Sequence, residues 1–178
     1  MNKKIKIALL ISFVILGTML AITFGTQKEL LPIGAALPKL KYMSLKDSGY
    51  ISVKEKPIMI MYFKPDCPHC EYELELMNTR YNEIKDVDVY CITAEERYIQ
   101  DSVHYKWNNL TNLENFVFAS VNEEEYKNKF GINVTPVFFF FNRERKLTSK
   151  IIGETKFDRL LGSIRGNDGS KHLSGGLI

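Results

Sequence analysis

Residues 58–70 read Ile-Met-Ile-Met-Tyr-Phe-Lys-Pro-Asp-Cys-Pro-His-Cys and combine a strand signal with a reactive pair of cysteines. The first six residues are continuously apolar, which is typical of a strand buried on both faces. Apolar residues then recur at helical spacing to about Lys85, at Cys70, Leu74, Met77, Tyr81 and Ile84. The segment predicts a buried strand that leads into a helix, with Cys67 and Cys70 at the start of that helix.

The rest of the chain continues the alternation of strands and helices. Upstream, short apolar patches in residues 37–53 surround Lys46-Asp-Ser-Gly49 and predict a β-hairpin. Downstream, the patterns predict strands at 87–93, 116–121, 137–141 and 146–152, and helices at 94–113, 123–130 and 156–164. This order predicts an α/β fold, a central mixed β-sheet flanked by helices. Cys91 falls inside the second buried strand, where we expect an inert core thiol.

The position of Cys67 at a helix start has a chemical consequence. Unpaired N–H groups and a partial positive charge at the helix N-terminus stabilise a thiolate, so we expect the pKa of Cys67 to lie below the ~8.5 of a free thiol. Pro68 fits the first turn because its missing N–H is harmless there. Cys70 is one turn further in and more buried, so Cys67 would attack a substrate disulfide and Cys70 would resolve the mixed disulfide.

Two other interpretations of the pair stay open. A structural disulfide is one, although a bridge across so short a loop would stabilise the chain little. Half of a metal site is the other, although a structural zinc ion needs four ligands and the chain has a single Cys-x-x-Cys. We therefore expect no metal and no cofactor beyond a redox-active Cys67–Cys70 disulfide.

Glu73 and His69 are candidates for the same site. Glu73 is three residues after Cys70, on the apolar stripe, so its carboxyl could have a raised pKa and exchange a proton with the buried thiol. The alternative is a glutamate at the edge of the stripe that reaches solvent. His69 could stabilise the Cys67 thiolate and make the disulfide more oxidising, or it could be an exposed turn residue.

The N-terminus predicts a membrane anchor. Lys3, Lys4 and Lys6 precede an 18-residue run without charge, 7–24, which would span about 27 Å as a helix. We expect an uncleaved anchor over 1–25, a tether over 26–36, one domain over 37–165 and a flexible tail over 166–178. A cleaved signal peptide and a buried helix are the alternatives. The lysines would stay cytoplasmic, which places the domain in the periplasm or otherwise outside the cytoplasm, where disulfides persist.

Composition excludes some classes of function. The chain has 178 residues, 45% of them hydrophobic and 25% charged, as in ordinary globular domains. Its net charge of +3 comes from the three N-terminal lysines, and the remaining 21 basic residues balance 21 acids. A nucleic-acid-binding domain normally carries a basic excess, so no nucleic-acid partner is expected.

Together these residues resemble the membrane-anchored, thioredoxin-like thiol–disulfide oxidoreductases of bacteria, which serve cytochrome maturation and related periplasmic reduction. The resemblance runs from about Ile33 to Ile164 and depends on the segments 63–73 and 131–136, the latter reading Gly-Ile-Asn-Val-Thr-Pro. It implies a thioredoxin-like fold with an extra N-terminal β-hairpin. It also implies a cis Thr135–Pro136 bond that leaves the Thr135 backbone free to bind an extended substrate, and Glu73 as the proton carrier.

The sequence departs from this family in ways that keep several functions open. Asp66 stands where the family usually has tryptophan, and Pro68-His69 is the dipeptide of strongly oxidising periplasmic oxidases. We expect a reductase of disulfide-bearing proteins, re-reduced by a membrane or periplasmic partner. The alternatives are a disulfide-donating oxidase or isomerase, a peroxidase, or a metal-binding module. A peroxidase site needs threonine three residues before its reactive cysteine, where this chain has Lys64.

Overall fold

The computed structural model describes residues 11–19, 30–52, 55–131 and 134–166. The strands in these ranges are β1 (Lys41–Ser44), β2 (Ser48–Tyr50), β3 (Ile58–Tyr62), β4 (Asp88–Thr93), β5 (Phe116–Ser120), β6 (Val137–Phe141) and β7 (Leu147–Ile152). The helices are α1 (11–19), α2 (Pro68–Thr79), α3 (Glu96–Asp101), α4 (Val103–Lys106), α5 (Asn108–Thr111), α6 (Glu123–Phe130) and α7 (Phe157–Gly166), with a 3₁₀ turn at Tyr81–Ile84.

The described strands form one mixed sheet in the order β2-β1-β5-β4-β3-β6-β7. Strands β3, β4 and β5 run parallel to one another, whereas β6 and β7 at one side and β1 and β2 at the other pair antiparallel. The predicted mixed sheet is therefore confirmed. Strand β3 lies beside the central β4 and pairs on its other side with the antiparallel β6, so the loop after β3 leaves from the carboxyl edge of the parallel strands next to the start of β6.

The two faces of the central strands are both covered, which explains their continuous apolar sequences. On β3, Met59 and Met61 belong to the cluster that packs under α2 and α7, whereas Ile60 and Tyr62 belong to the cluster under α6. The phenylalanine run of β6 alternates between the same two clusters. All of these residues are fully buried, and each contributes about 1.5–3 kcal/mol by leaving water.

The N-terminal hairpin is present, but its turn starts one residue earlier and ends two residues earlier than the predicted 46–49. The turn lies at 45–47, and Ser48 and Gly49 already belong to β2. The Ser44 hydroxyl donates to the Asp47 carboxylate at 2.6 Å, and the Ser44 amide donates to the Asp47 carbonyl at 2.8 Å. These bonds join Ser44, the last residue of β1, to Asp47, the last residue of the turn, so that β2 already begins at Ser48.

Two predicted helices are shorter than expected. Helix α2 ends at Thr79 and not near Lys85, because Arg80 leaves helical geometry (φ −109°, ψ 25°) and pairs with Glu83 at 2.7 Å. The helix predicted for 94–113 is three short helices, α3 to α5. The chain breaks at Trp107 (φ −122°, ψ 47°), which is buried with its indole N–H on the Tyr98 hydroxyl at 3.0 Å.

Helix α6 has the predicted bounds, and α7 begins one residue later and ends two residues later than predicted. The Asn122 side chain caps α6 by accepting the Glu125 amide at 2.8 Å, and Gly131 ends it at φ 79°, a conformation that glycine adopts without cost. Helix α7 buries its apolar face against the sheet through Phe157, Leu160, Leu161 and Ile164.

The predicted anchor and tail lie mostly outside the described residues, which leave out 1–10, 20–29 and 167–178. Residues 11–19 are helical with exposed side chains. Among the described helices, none combines the length and the apolar character that a membrane crossing requires. The anchor over 1–25, the tether over 26–36 and the flexible tail stay predictions.

Candidate active site

The loop after β3 places Cys67 at the N-cap of α2. The Cys67 backbone is extended (φ −96°, ψ 109°), and its carbonyl accepts the Cys70 and Glu71 amides, each at 3.0 Å. Its Sγ also accepts the Cys70 amide at 3.4 Å, as a capping oxygen would. Pro68 occupies the first turn, where no amide hydrogen is needed. The predicted position of the pair at a helix start is confirmed.

The Cys67 thiol is only partly buried, and it is poised to ionise. Burial acts to raise its pKa, but hydrogen bonds with the Cys70 thiol and amide, the Thr135 side chain and the His69 amide lower it, and the net pKa lies below the ordinary value. The predicted direction is confirmed. The contributing amides, those of His69 and Cys70, belong to the first turn of α2, whose N–H groups face the cap residue Cys67.

The second thiol has the opposite character. Cys70 is 1% exposed, and burial, followed by its hydrogen bond with Cys67, raises its pKa. Both cysteines are free thiols in this structure. Cys91 lies fully buried in β4, where burial raises its pKa, in agreement with a core thiol.

The loop before β6 faces the reactive sulfur. The Thr135–Pro136 peptide bond is cis, as predicted. The Cys67 thiol donates to the Thr135 carbonyl, with a sulfur–oxygen distance of 3.8 Å. Pro136 is buried, and its carbonyl accepts the Gly153 amide at 2.8 Å, which ties this loop to the end of β7. Thr135 therefore lies beside Cys67, where a substrate disulfide would approach.

Glu73 is a fully buried acid on the same face of α2 as Cys70. Its Oε1 accepts the Thr155 amide at 2.6 Å, and its Oε2 has no hydrogen-bond partner among the described residues. Burial raises its pKa, the Thr155 amide opposes that shift, and the Glu154 charge adds to it. The predicted raised pKa is confirmed, and the alternative of a solvent-reaching glutamate is wrong.

His69 has a partner that sequence reasoning missed. Its ring is exposed, and Nδ1 lies 2.6 Å from Oε2 of Glu154, in the loop between β7 and α7. The two residues are 85 positions apart, so no local pattern joins them. Knowledge of the β6–β7–α7 order alone could have suggested that this loop returns to the active-site end of the sheet. The structure thus brings all the predicted site residues together and adds Glu154 and Thr155.

The described residues contain no group of three or more His, Cys, Asp or Glu side chains arranged to hold a metal ion. The donor set at the site is two thiols, one buried carboxyl and a histidine paired with another carboxylate. Such groups support thiol–disulfide exchange directly, because thiolate attack requires an ionisable sulfur, a second sulfur within reach and a route for one proton.

Comparison with known proteins relates the whole domain to one family. The family model for thioredoxin-like domains matches residues 47–165. The thiol-disulfide oxidoreductase ResA of Bacillus thuringiensis is 26% identical over 153 residues, covering 80% of this chain and 82% of that protein.

Two solved structures have the same fold. A peroxiredoxin-like protein from Aquifex aeolicus gives a TM-score of 0.65 at 16% identity, over 80% of this chain and 91% of that one. A putative thiol:disulfide interchange protein DsbE from Chlorobium tepidum gives 0.60 at 15% identity, over 77% and 98%. At these identities the likeness establishes the fold.

Proposed function

This chain belongs to the family of thioredoxin-like domains, and we propose that it is a thiol–disulfide oxidoreductase, anchored at its N-terminus, that reduces protein disulfides outside the cytoplasm. The observation that carries the activity is the pair Cys67 and Cys70 at the start of α2, whose pKa values are shifted in opposite directions, with the Cys67 sulfur 3.8 Å from the Thr135 carbonyl. The name of the ResA relative supports the same reaction class. The charged start and the apolar run at 7–24 support the location.

The geometry assigns the steps of the reaction. The Cys67 thiolate attacks one sulfur of a substrate disulfide, forms a mixed disulfide and releases the other substrate sulfur as a thiolate, which takes up a proton. Cys70 then loses its proton and attacks the Cys67 sulfur, which releases the second substrate thiolate. The substrate gains two electrons and two protons, and Cys67–Cys70 becomes a disulfide that a partner dithiol reduces again.

A protein substrate suits this site better than a small molecule. Cys67 is partly exposed, and exposed Val134 and Ile152 lie in the segments next to it in the fold. Surface cavities of about 370 and 630 Å³ lie elsewhere, and neither is lined by Cys67 or Cys70. Because Cys67 is partly exposed, a disulfide on the surface of another protein can approach its sulfur.

Reduction is favoured over oxidation by the segment between β4 and β6. The large helical insertion of the oxidases does not fit there, since the described residues 94–131 hold three short helices, β5 and α6. The second candidate is an oxidase or isomerase, and the Pro68-His69 dipeptide favours it, because a cationic imidazole beside a thiolate stabilises the reduced form.

Trapping tests the reaction class. The variant Cys70→Ser should accumulate a mixed disulfide between Cys67 and a protein that carries a surface disulfide, such as insulin. The double variant Cys67→Ser/Cys70→Ser should trap nothing, whereas Cys70→Ser/Cys91→Ser should trap normally, since Cys91 is fully buried. Equal trapping by Cys70→Ser and by Cys67→Ser/Cys70→Ser would refute thiol–disulfide exchange at this pair.

The reduction potential tests the direction. Equilibration of the wild-type chain with glutathione or dithiothreitol buffers should give a value close to thioredoxin's, about −270 mV. A value close to about −120 mV, the strongly oxidising end of the scale, would favour the oxidase.

A further inference from the structure

The loop between β7 and α7 contacts two different parts of the active site through consecutive residues. Glu154 binds the His69 ring at 2.6 Å, and the Thr155 amide binds the buried Glu73 carboxylate at 2.6 Å. The loop itself is fixed, because the Gly153 amide donates to the Pro136 carbonyl at 2.8 Å. The segment that holds the Glu154 carboxylate against His69 is therefore also hydrogen-bonded to Pro136, in the loop before β6.

His69 is coupled to the reactive sulfur through the backbone. Its amide is one of the groups that hydrogen-bond to Cys67, and its ring extends from the dipeptide between the two cysteines. A positive charge on that ring would stabilise the Cys67 thiolate, and with it the reduced pair, which makes a disulfide more oxidising. The Glu154 carboxylate, in direct contact with the ring, would oppose the effect of such a charge.

We propose that Glu154 is a positioning residue that acts through His69, holding the imidazole and placing a negative charge against it so that the Cys67–Cys70 pair is less oxidising than its Pro-His dipeptide would otherwise make it. The proposal rests on the redox cycle proposed for this pair. It gives a physical reason why a Pro-His dipeptide is compatible with a reductase.

The test is a double-mutant cycle on the equilibrium constant with glutathione at pH 7. Glu154→Gln keeps the size of the side chain and a hydrogen-bond acceptor, and it removes the charge. We expect this variant to shift the equilibrium toward the reduced protein by about two- to fivefold, the size of an exposed ion pair. The modest range follows from exposures of 67% and 46% for the His69 and Glu154 side chains.

The same substitution in a His69→Ala background should leave the equilibrium constant of that background unchanged, because the His69 ring through which Glu154 acts is absent. Glu75→Gln is the matched control, since Glu75 is an exposed acid on α2, six residues after His69. Its effect on the equilibrium constant should be smaller than that of Glu154→Gln. Urea unfolding of each variant checks that the fold is intact.

Several outcomes would overturn the inference. They are an unchanged equilibrium in Glu154→Gln, a shift toward the oxidised protein, or an equal shift in the His69→Ala background, which would mean that Glu154 acts directly on the sulfurs. These outcomes leave the proposed function standing. Failure of the wild-type chain to form the Cys67–Cys70 disulfide in glutathione buffers would refute both proposals.

Discussion

Replacing Glu73 with glutamine separates the charge of this buried side chain from its shape. Glu73 is fully buried, one oxygen accepts the Thr155 amide, and the other oxygen has no partner among the described residues. The glutamine carbonyl can accept the same amide, so Glu73→Gln keeps the contact with the loop before α7. What changes is that the side chain can no longer ionise.

The sign of the effect follows from the raised pKa of Glu73, which has burial as its main cause. The unfolded chain releases this proton near the ordinary glutamate pKa, about 4.3, whereas the folded chain retains it to higher pH. Between the pKa of Glu73 in the unfolded chain and its higher pKa in the folded chain, the folded protein binds more protons than the unfolded one. The stability of the folded protein therefore falls as pH rises through this range. At pH values well below the pKa of the unfolded chain, the carboxyl is protonated in both states and the loss vanishes.

The magnitude follows from the unpaired oxygen. A buried hydrogen-bonding group without a partner costs about 1–3 kcal/mol, and more when it is charged. The amide nitrogen of glutamine would also lack a partner, but it carries no charge. We therefore expect the free energy of unfolding of Glu73→Gln, relative to wild type, to increase by about 1–3 kcal/mol between pH 4 and pH 8.

Urea unfolding of the reduced proteins at pH 4, 6 and 8 measures this difference, and comparison with wild type cancels every group that both chains share. Glu75→Gln is the control, because Glu75 is exposed on the same helix, and its difference from wild type should not grow with pH. A Glu73→Gln difference that is constant with pH, or that shrinks, would refute a raised pKa for the buried carboxyl.

Two further predictions concern Cys67 and the cap of α6. Iodoacetamide should alkylate Cys67 with a pH midpoint below the ~8.5 of a free thiol, whereas Cys91 should react only when the protein unfolds. Mass spectrometry of the labelled peptides measures both reactions. Equal labelling of the two cysteines in the folded protein would contradict a reactive Cys67 and a buried, inert Cys91. Asn122→Ala should lower the free energy of unfolding by about 1 kcal/mol, because it removes the bond to the Glu125 amide. The control Asn122→Ser retains a capping oxygen and should restore most of that loss in urea unfolding.

The central strands were predictable because their sequences report burial directly. β3 and β6 are uninterrupted apolar runs, and the structure buries every residue of both. The end of α6 was predictable for a similarly local reason, since Gly131 takes the left-handed conformation that stops the helix. At the active site, the Cys-x-x-Cys placed Cys67 and Cys70, and the spacing on the apolar stripe placed Glu73 in the interior.

What sequence could not provide was contact between distant segments. The segment 94–113 has helical composition, but burial of Trp107 coincides with a break that composition does not record. The partner of His69 lies in a loop whose position depends on the register of β6 with β7, which local sequence does not encode. Long-range pairing, and not local propensity, therefore decides which charges meet at the site.

Burial of Glu73 also bears on how Cys70 could lose its proton. The proton must leave a thiol whose pKa burial raises, and an exposed carboxylate with an ordinary pKa of about 4.3 would be a poor acceptor for it. Burial raises the pKa of Glu73 by the same mechanism, so the gap between the two acids is narrower than it would be for an exposed glutamate. Proton transfer is most efficient when the pKa values of donor and acceptor are closely matched.

If Glu73 is the acceptor, Glu73→Gln should therefore slow the release of substrate from the mixed disulfide by about 100-fold or more. Stopped-flow measurement of that step, with Glu75→Gln as the control, would test this prediction. A rate equal to wild type would leave Glu73 with a structural role only.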